Sequence, residues 1–325
     1  MARFHSGCAL ALVAALVFPA VLNAQARAGD DVNAAAPLAA TYERIGDAIS
    51  QQVIGADDAA SHWLSAHLSS LEPVAQVRDF ALAAAREPKE MLFVASLADA
   101  CMRMYSPVPS ECAERDAVGY WSSRDSDNAV PWLLQAERAR RRNNVSALID
   151  NLERASSAAR YDDYSGRAGA LVANIAKAPP NDRAAVVLYA NRQSTALPGP
   201  LAALENVCAA QTRALDERIA RHCIRLGALM AERAASFTNR RAGTQTALAS
   251  AATDSARAAT TEAARATIAE QDRCRESLVS LERAAQGSAA ERDRAATVGL
   301  RFLADRAKAG EAMACDALDK AIVKR

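Results

Sequence analysis

Apolar residues recur every three to four positions along most of the chain, and this spacing predicts helices. One such stripe consists of Tyr42, Ile45, Ile49 and Val53. These side chains would share one face of a helix, which Gly55 would end. Runs that alternate between apolar and polar residues are absent, so nothing in the sequence predicts strands. We therefore expect an all-α fold.

Local start and stop signals divide the next part of the chain into short helices. Asp57 or Asp58 can cap a second helix, which Pro73 stops. Pro88 fits the first turn of a helix that continues to about residue 104. Further helices are expected over 74–86 and 111–121, with a proline loop at 105–110 and a polar turn at 124–128.

Residues 129–160 have the pattern of a helical hairpin. Its elements are Trp132 and Ala136 in the first helix, Asn143-Asn144 in the turn, and Leu148, Leu152 and Ala155 in the second helix. These positions resemble one hairpin of the tetratricopeptide family, although Ala139 replaces that family's second aromatic residue and Arg160 replaces its closing proline. No second copy matches well. The resemblance implies hairpin stacking, and stacked hairpins form concave surfaces that hold peptides or proteins.

The composition changes after Pro179-Pro180. One more helix is expected over 182–195, and Leu197-Pro-Gly-Pro200 then breaks the chain. The helices beyond are rich in alanine, arginine and glutamate and carry few large apolar residues. We therefore predict a helical-hairpin region over 27–196 and a C-terminal helical bundle over 197–325. The predicted fold is all-α, with stacked, solenoid-like antiparallel hairpins followed by a disulfide-linked bundle rich in alanine and arginine.

The first 26 residues have the composition of an export signal. Arg3 is positive, the fifteen residues from Cys8 to Leu22 are uncharged, and residues 24–26 or 26–28 fit a signal-peptidase site. A membrane anchor is the alternative, but the apolar run is shorter than the roughly 20 residues that cross a bilayer as a helix. A lipid anchor would need Cys8 at the end of this run. We expect cleavage after Ala26, and no membrane span after it.

Six cysteines remain after cleavage, and an even number in an exported chain predicts three disulfides. Cys101 and Cys112 flank the proline loop, so they fit a hairpin closed by its own bridge. Cys208 and Cys223 flank a turn near residues 212–215 and fit a second such hairpin.

The remaining pair requires a third helix. Cys274 lies about 20 Å before the turn at residues 286–288, at about 1.5 Å per residue. A single helix after that turn would carry Cys315 roughly 40 Å away. If the chain reverses at 308–310, it descends about 27 Å and returns about 8 Å, which brings both cysteines to nearly the same height. We therefore predict the bridges Cys101–Cys112, Cys208–Cys223 and Cys274–Cys315, and a three-helix C-terminal unit.

Positive and negative charges nearly cancel in the mature chain, because cleavage removes one arginine from 39 basic residues and leaves 38 acidic ones. This balance argues against electrostatic binding to nucleic acid, which needs a basic surplus on one face. Lysine occurs at only five positions, and we attribute the abundance of arginine to GC-rich codons.

No pattern predicts a catalytic, cofactor-binding or metal site. His62 and His67 are five positions apart, whereas two metal ligands on one helical face are four apart. Tyr161-Asp162-Asp163-Tyr164 contains two carboxylates, which a glycosidase-type acid pair would need, but neighbouring residues point apart and a polar turn explains the segment as well. The aromatic residues that either pack the core or form a binding surface are Trp63, Trp121, Trp132, Tyr161 and Tyr164.

Two classes of function fit these observations. The first is a non-catalytic binding or scaffolding protein of the bacterial envelope, with a protein or peptide partner, in the periplasm or alternatively secreted. The second is an envelope enzyme of the polysaccharide or cell-wall hydrolase type, with a site built from scattered carboxylates. We favour the first, because the hairpin pattern supports it. A deep pocket of converging ionisable groups would favour the enzyme.

Overall fold

A computed structural model of the chain describes residues 32–68, 72–104, 108–176, 182–251 and 254–323. The predicted signal peptide with Cys8, and Pro179-Pro180, lie outside these residues. Within the described ranges every regular element is a helix. The described residues form two isolated β-bridges, one between Asn128 and Arg160 and one between Tyr161 and Ala234. The all-α prediction is confirmed.

Ten of the described helices precede the predicted division at residue 196. They are α1 (Val32–Val53), α2 (Ala59–Leu68), α3 (Pro73–Arg86), α4 (Met91–Arg103), α5 (Ser110–Arg115), α6 (Ala117–Arg124), α7 (Ala129–Arg141), α8 (Val145–Ser156), α9 (Ser165–Ile175) and α10 (Arg183–Arg192). Those that follow are α11 (Pro198–Val207), α12 (Ala210–Arg213), α13 (Glu217–Arg233), α14 (Phe237–Ser250), α15 (Asp254–Ala285), α16 (Ala289–Ala309) and α17 (Glu311–Val323).

Side-chain caps fix several of the helix starts, among them the start at Asp58 that the sequence predicts. Asp58 accepts a hydrogen bond from the Ser61 N–H at 3.0 Å, just inside α2. Asp216 accepts one from the Arg218 N–H at 2.8 Å, at the start of α13. Ser288 forms a capping box at the start of α16. In each case a side-chain oxygen satisfies a backbone donor that the first turn leaves without an intrahelical partner.

The helix predicted over 111–121 is wrong, because Asp116 divides it into α5 and α6. Asp116 has φ 28°, a region that aspartate enters more readily than most residues. Its carboxylate caps α6 through the Gly119 N–H at 3.3 Å. Pro88 also differs from the prediction, since it precedes α4 and Glu90 caps that helix instead.

The predicted break at Leu197–Pro200 is the start of α11. Pro198 occupies the first turn, where a missing N–H costs no intrahelical hydrogen bond. The Gly199 N–H donates to Asp99 Oδ1 at 2.6 Å. Asp99 lies 100 positions earlier in the chain, so the capping group comes from another helix and no local signal predicts it.

Three disulfides join the predicted pairs of cysteines. The Cα atoms are 5.5 Å apart in Cys101–Cys112, 5.7 Å apart in Cys208–Cys223 and 5.1 Å apart in Cys274–Cys315. The third pair meets because α16 ends at Ala309 and α17 runs back beside α15. The predicted three-helix C-terminal unit is therefore present.

Several pairs of consecutive helices pack as hairpins, and the α13–α14 contact is among the most extensive. Gly227 and Gly243 permit it. A Cβ atom built on Gly227 would lie 2.6 Å from the Gly243 carbonyl oxygen, and one built on Gly243 would lie 2.7 Å from the Gly227 carbonyl oxygen. The two backbones therefore touch at a point where only glycine fits.

The main hydrophobic core contains residues from both sides of the predicted division at residue 196. It extends from Ile45 to Leu318, and α16 packs on both α9 and α10. The α7–α8 hairpin, which carries the tetratricopeptide-like pattern, packs against α11 and α13. A division of the chain into two domains stays a prediction. Among the described helices, none combines the length and the apolar character that a membrane crossing requires.

Candidate functional site

Three turns between helices meet at one place, which we call the junction. Its parts are the α8–α9 segment at 160–164, the α13–α14 turn at 234–236, and Gly310 between α16 and α17. Tyr161 forms a bridge with Ala234, and the Glu311 N–H donates to the Ala235 carbonyl at 2.7 Å. Gly310 has φ +86° beside Ala235, a conformation that glycine adopts without steric cost.

Arg160 and Tyr164 are held at the junction by a buried carboxylate. Asp125 forms an ion pair with Arg160 and accepts from the Tyr164 hydroxyl at 2.7 Å and from Trp121 Nε1 at 3.1 Å. Burial opposes ionisation of Asp125, but hydrogen bonds from Asn128, Tyr164 and Trp121 outweigh it and lower its pKa. Burial raises the pKa of Tyr164 to about 12. These groups form a fixed structural network.

Asp163 joins three separate segments of the chain. Its carboxylate is fully buried and accepts from the Ser165 N–H at 3.1 Å, the Ser165 hydroxyl at 2.7 Å, the Leu197 N–H at 3.0 Å and Asn239 Nδ2 at 3.0 Å. Four donors occupy the two oxygens. The carboxylate therefore fixes α8–α9, the start of α11 and α14 relative to one another.

Asp99 has a similar structural role on the other side of α11. It accepts from Gly199 and pairs with Arg103 at 3.0 Å. Burial raises its pKa, and the neighbouring charge of Asp163 acts in the same direction. The two carboxylates thus face the N-terminus of α11, where backbone donors hold them. Because both carboxylates are buried and bound to these donors, they cannot reach a substrate to protonate it.

A buried ion pair between Arg306 and Glu311 separates two clefts. The Arg306 side chain is 8% exposed and lies 3.0 Å from Glu311 Oε1. Its guanidinium also donates to Asn191 Oδ1 at 2.8 Å and to the Ser194 carbonyl at 2.7 Å. Glu311 accepts from the Phe237 N–H at 2.8 Å. Both charges are thus compensated, and the pair forms a wall that lines both clefts.

The cleft on one side of this wall, the tyrosine cleft, has a volume of about 310 Å³. Its ionisable lining residues include Arg160, Asp162, Tyr164, Arg167, Arg233 and Arg240. Each of these arginines pairs with a carboxylate. Asp162 is the notable acid, since burial raises its pKa while 29% of its side chain is exposed.

The cleft on the other side, the arginine cleft, has a volume of about 680 Å³. Its polar lining residues include Arg192, Thr195, Thr238, Arg241, Gln271, Asp272 and Arg275. Its apolar lining residues include Phe237, Ile268 and Leu278. Arg241 and Arg275 are exposed, and neither forms an ion pair within the described residues. This volume falls in the range of ligand-binding clefts, about 300–1,000 Å³.

The predicted aromatic binding surface does not form. Trp63, Trp121, Tyr161 and Tyr164 are at most 4% exposed, because each packs into the core. Trp132 is half-buried, and the Arg154 guanidinium lies 4.7 Å above its ring. Of the five residues, the structure brings Tyr161 and Tyr164 to a cleft, and it leaves the three tryptophans apart from it.

Of the two histidines of α2, His67 packs against the core. His67 stacks on Trp63 with ring centroids 4.3 Å apart, and burial lowers its pKa to about 4. In the part of the chain that the structure describes, no three histidine, cysteine or acidic side chains are grouped as a metal site requires.

Comparison with protein-family models, curated proteins and solved structures gives no match. The sequence does not predict the arginines of the arginine cleft. Arg192, Arg241 and Arg275 lie on three different helices, and no sequence motif contains all three. The one sequence signal near the wall is the turn at 308–310, which predicts a reversal but does not identify Arg306 or Glu311 as a pair.

Proposed function

We propose that this chain is a non-catalytic binding protein of the bacterial envelope, which holds a protein or peptide partner at the clefts that flank the Arg306–Glu311 pair. The proposal depends on one contrast. The buried carboxylates accept hydrogen bonds from the protein itself, whereas two arginines are exposed in a cleft. Asp99, Asp125 and Asp163 are occupied by structural hydrogen bonds, whereas Arg241 and Arg275 line an open cleft. Such a site favours the binding of an anionic group over proton transfer.

The disulfides support the location. Three disulfides are typical of a protein that folds in an oxidising compartment outside the cytoplasm. The predicted signal peptide indicates the same route. We place the protein in the periplasm, with secretion as the alternative, and fractionation of cells that express the full chain distinguishes the two.

The test is capture of a partner from envelope extract by the purified, disulfide-bonded protein. We expect a reproducible partner that elutes when salt is raised, because exposed charge pairs are screened. An unrelated disulfide-bonded helical protein, immobilised in the same way, serves as the negative control. Absence of a reproducible partner, together with hydrolysis of cell-wall material by the protein, would refute the proposal.

A second candidate, an envelope hydrolase, is favoured by one observation at the tyrosine cleft. Asp162 combines a raised pKa with partial exposure, and it lies 3.3 Å from the Arg160 guanidinium. Groups of this kind serve as general acids. Release of soluble fragments from purified cell-wall material by the wild-type protein, and its loss in Asp162→Asn, would support this candidate.

A further inference from the structure

The arginine cleft is elongated, and one face of α15 forms its length. Its lining residues on this helix include Ile268, Gln271, Asp272, Arg275 and Leu278. They follow the spacing that puts side chains on one helical face. The stretch from Ile268 to Leu278 measures about 15 Å at about 1.5 Å per residue. An extended peptide of about five residues has a similar length, at about 3.3 Å per residue.

Charge and apolar surface alternate along this length. Arg275 lies between Ile268 and Leu278 on α15, and Arg241 is presented from α14. Ile268 is 45% exposed, which leaves an apolar contact at one end of the cleft. The single lining acid on this face of α15 is Asp272, so the exposed cations outnumber it.

The remaining lining groups match a peptide backbone. Thr195, Thr238 and Gln271 offer hydroxyl and amide groups, which can both donate to carbonyl oxygens and accept from N–H groups. Guanidinium groups bind carboxylates through two parallel hydrogen bonds. A compact anion such as phosphate would occupy one arginine and leave the apolar ends uncovered.

We propose that the arginine cleft binds an extended acidic peptide segment, with its carboxylates on Arg241 and Arg275 and an apolar side chain against Ile268. This inference rests on the proposed function and names the chemistry of the partner. The cleft lies beside the Arg306–Glu311 ion pair.

The probe is a fluorescein-labelled hexapeptide of alternating glutamate and valine, titrated with the purified protein and followed by fluorescence anisotropy. We expect saturable binding that weakens as salt is raised. Arg241→Ala and Arg275→Ala should each weaken it about tenfold or more, since each removes charge-assisted hydrogen bonds. A peptide of alternating glutamine and valine should bind at least about tenfold more weakly.

Arg273→Ala is the matched control. Arg273 is exposed on the same helix as Arg275 but lines a different groove. Its removal changes the net charge equally, so it should change affinity by less than about twofold. Thermal unfolding of the three variants verifies that each is folded.

Three results would overturn the inference. The first is equal affinity of all three variants for the acidic peptide. The second is equal binding of the glutamine peptide. The third is stronger binding of a polyuronate oligosaccharide or of inorganic polyphosphate at this cleft. If wild-type protein and an Arg241→Ala, Arg275→Ala double variant capture the same envelope partner equally, the proposed function stands and the peptide inference fails.

Discussion

The Asn239 side-chain amide donates to the Asp163 carboxylate at 3.0 Å, across 76 positions of sequence. Both residues are fully buried. The bond connects the segment between α8 and α9 with α14, and the same carboxylate also accepts from Leu197 at the start of α11. One side chain therefore fixes the positions of three elements that surround the clefts.

Replacement of Asp163 by asparagine should lower the free energy of unfolding by about 2–4 kcal/mol, because an amide nitrogen would then face backbone or hydroxyl donors. Urea denaturation measures the change. Asp293→Asn is the control, since Asp293 is exposed on α16, and it should change stability by less than about 0.5 kcal/mol. Equal effects of the two substitutions would contradict the structural role of Asp163.

Gly243→Ala should destabilise the protein by about 2 kcal/mol or more. Alanine favours an isolated helix by about 1 kcal/mol over glycine, so a net loss shows that the close contact with Gly227 dominates. The control is Gln245→Ala at an exposed position of α14. A stability gain in Gly243→Ala, measured by urea denaturation, would mean that the two helices can separate without cost.

Acid should destabilise the fold through His67. Its pKa is lowered from 6.5 to about 4 by burial, so between these pH values the unfolded state binds a proton that the folded state does not. The free energy of unfolding should therefore fall by roughly 3 kcal/mol as the pH drops through this window, with no further loss from His67 below it.

Urea denaturation at pH 7, 5.5 and 4.5 tests this expectation. His67→Gln should be less stable at pH 7, since it loses the ring contact with Trp63, but its stability should depend less on pH. Burial also lowers the pKa of His222, but the charge of Glu153 opposes this shift, so His222→Gln should retain most of the wild-type slope. Parallel pH curves for wild type and His67→Gln would exclude His67 as the cause.

The disulfides should contribute unequally. Removal of Cys274–Cys315, which spans 41 positions, should cost roughly 4 kcal/mol, and removal of Cys101–Cys112, which spans 11 positions, should cost roughly 3 kcal/mol. Paired Cys→Ala variants and urea denaturation measure both losses. Non-reducing peptide mapping should recover the three bridges, and a Cys223–Cys274 peptide would contradict the pairing.

The sequence by itself determined the all-α class, several helix starts and the disulfide pairs. A helix start depends on a cap and on the first turn, as at Asp216 and Ser288, and these are neighbours in the chain. The pairing of Cys274 with Cys315 followed from helix rise and one turn position. Local geometry therefore carried enough information for both.

Only the tertiary structure decided the burial of Tyr161, Asp163 and Tyr164, the helix start at Pro198 and the existence of the arginine cleft. Each depends on groups that are distant in sequence, such as Asp99 and Gly199 or Asp163 and Asn239. The sequence pattern of Tyr161–Tyr164 is the same in an exposed turn and in a buried network. The segment is buried because Tyr164 packs on Trp121, Tyr161 pairs with Ala234 and Asp163 binds Asn239. No local periodicity specifies these contacts.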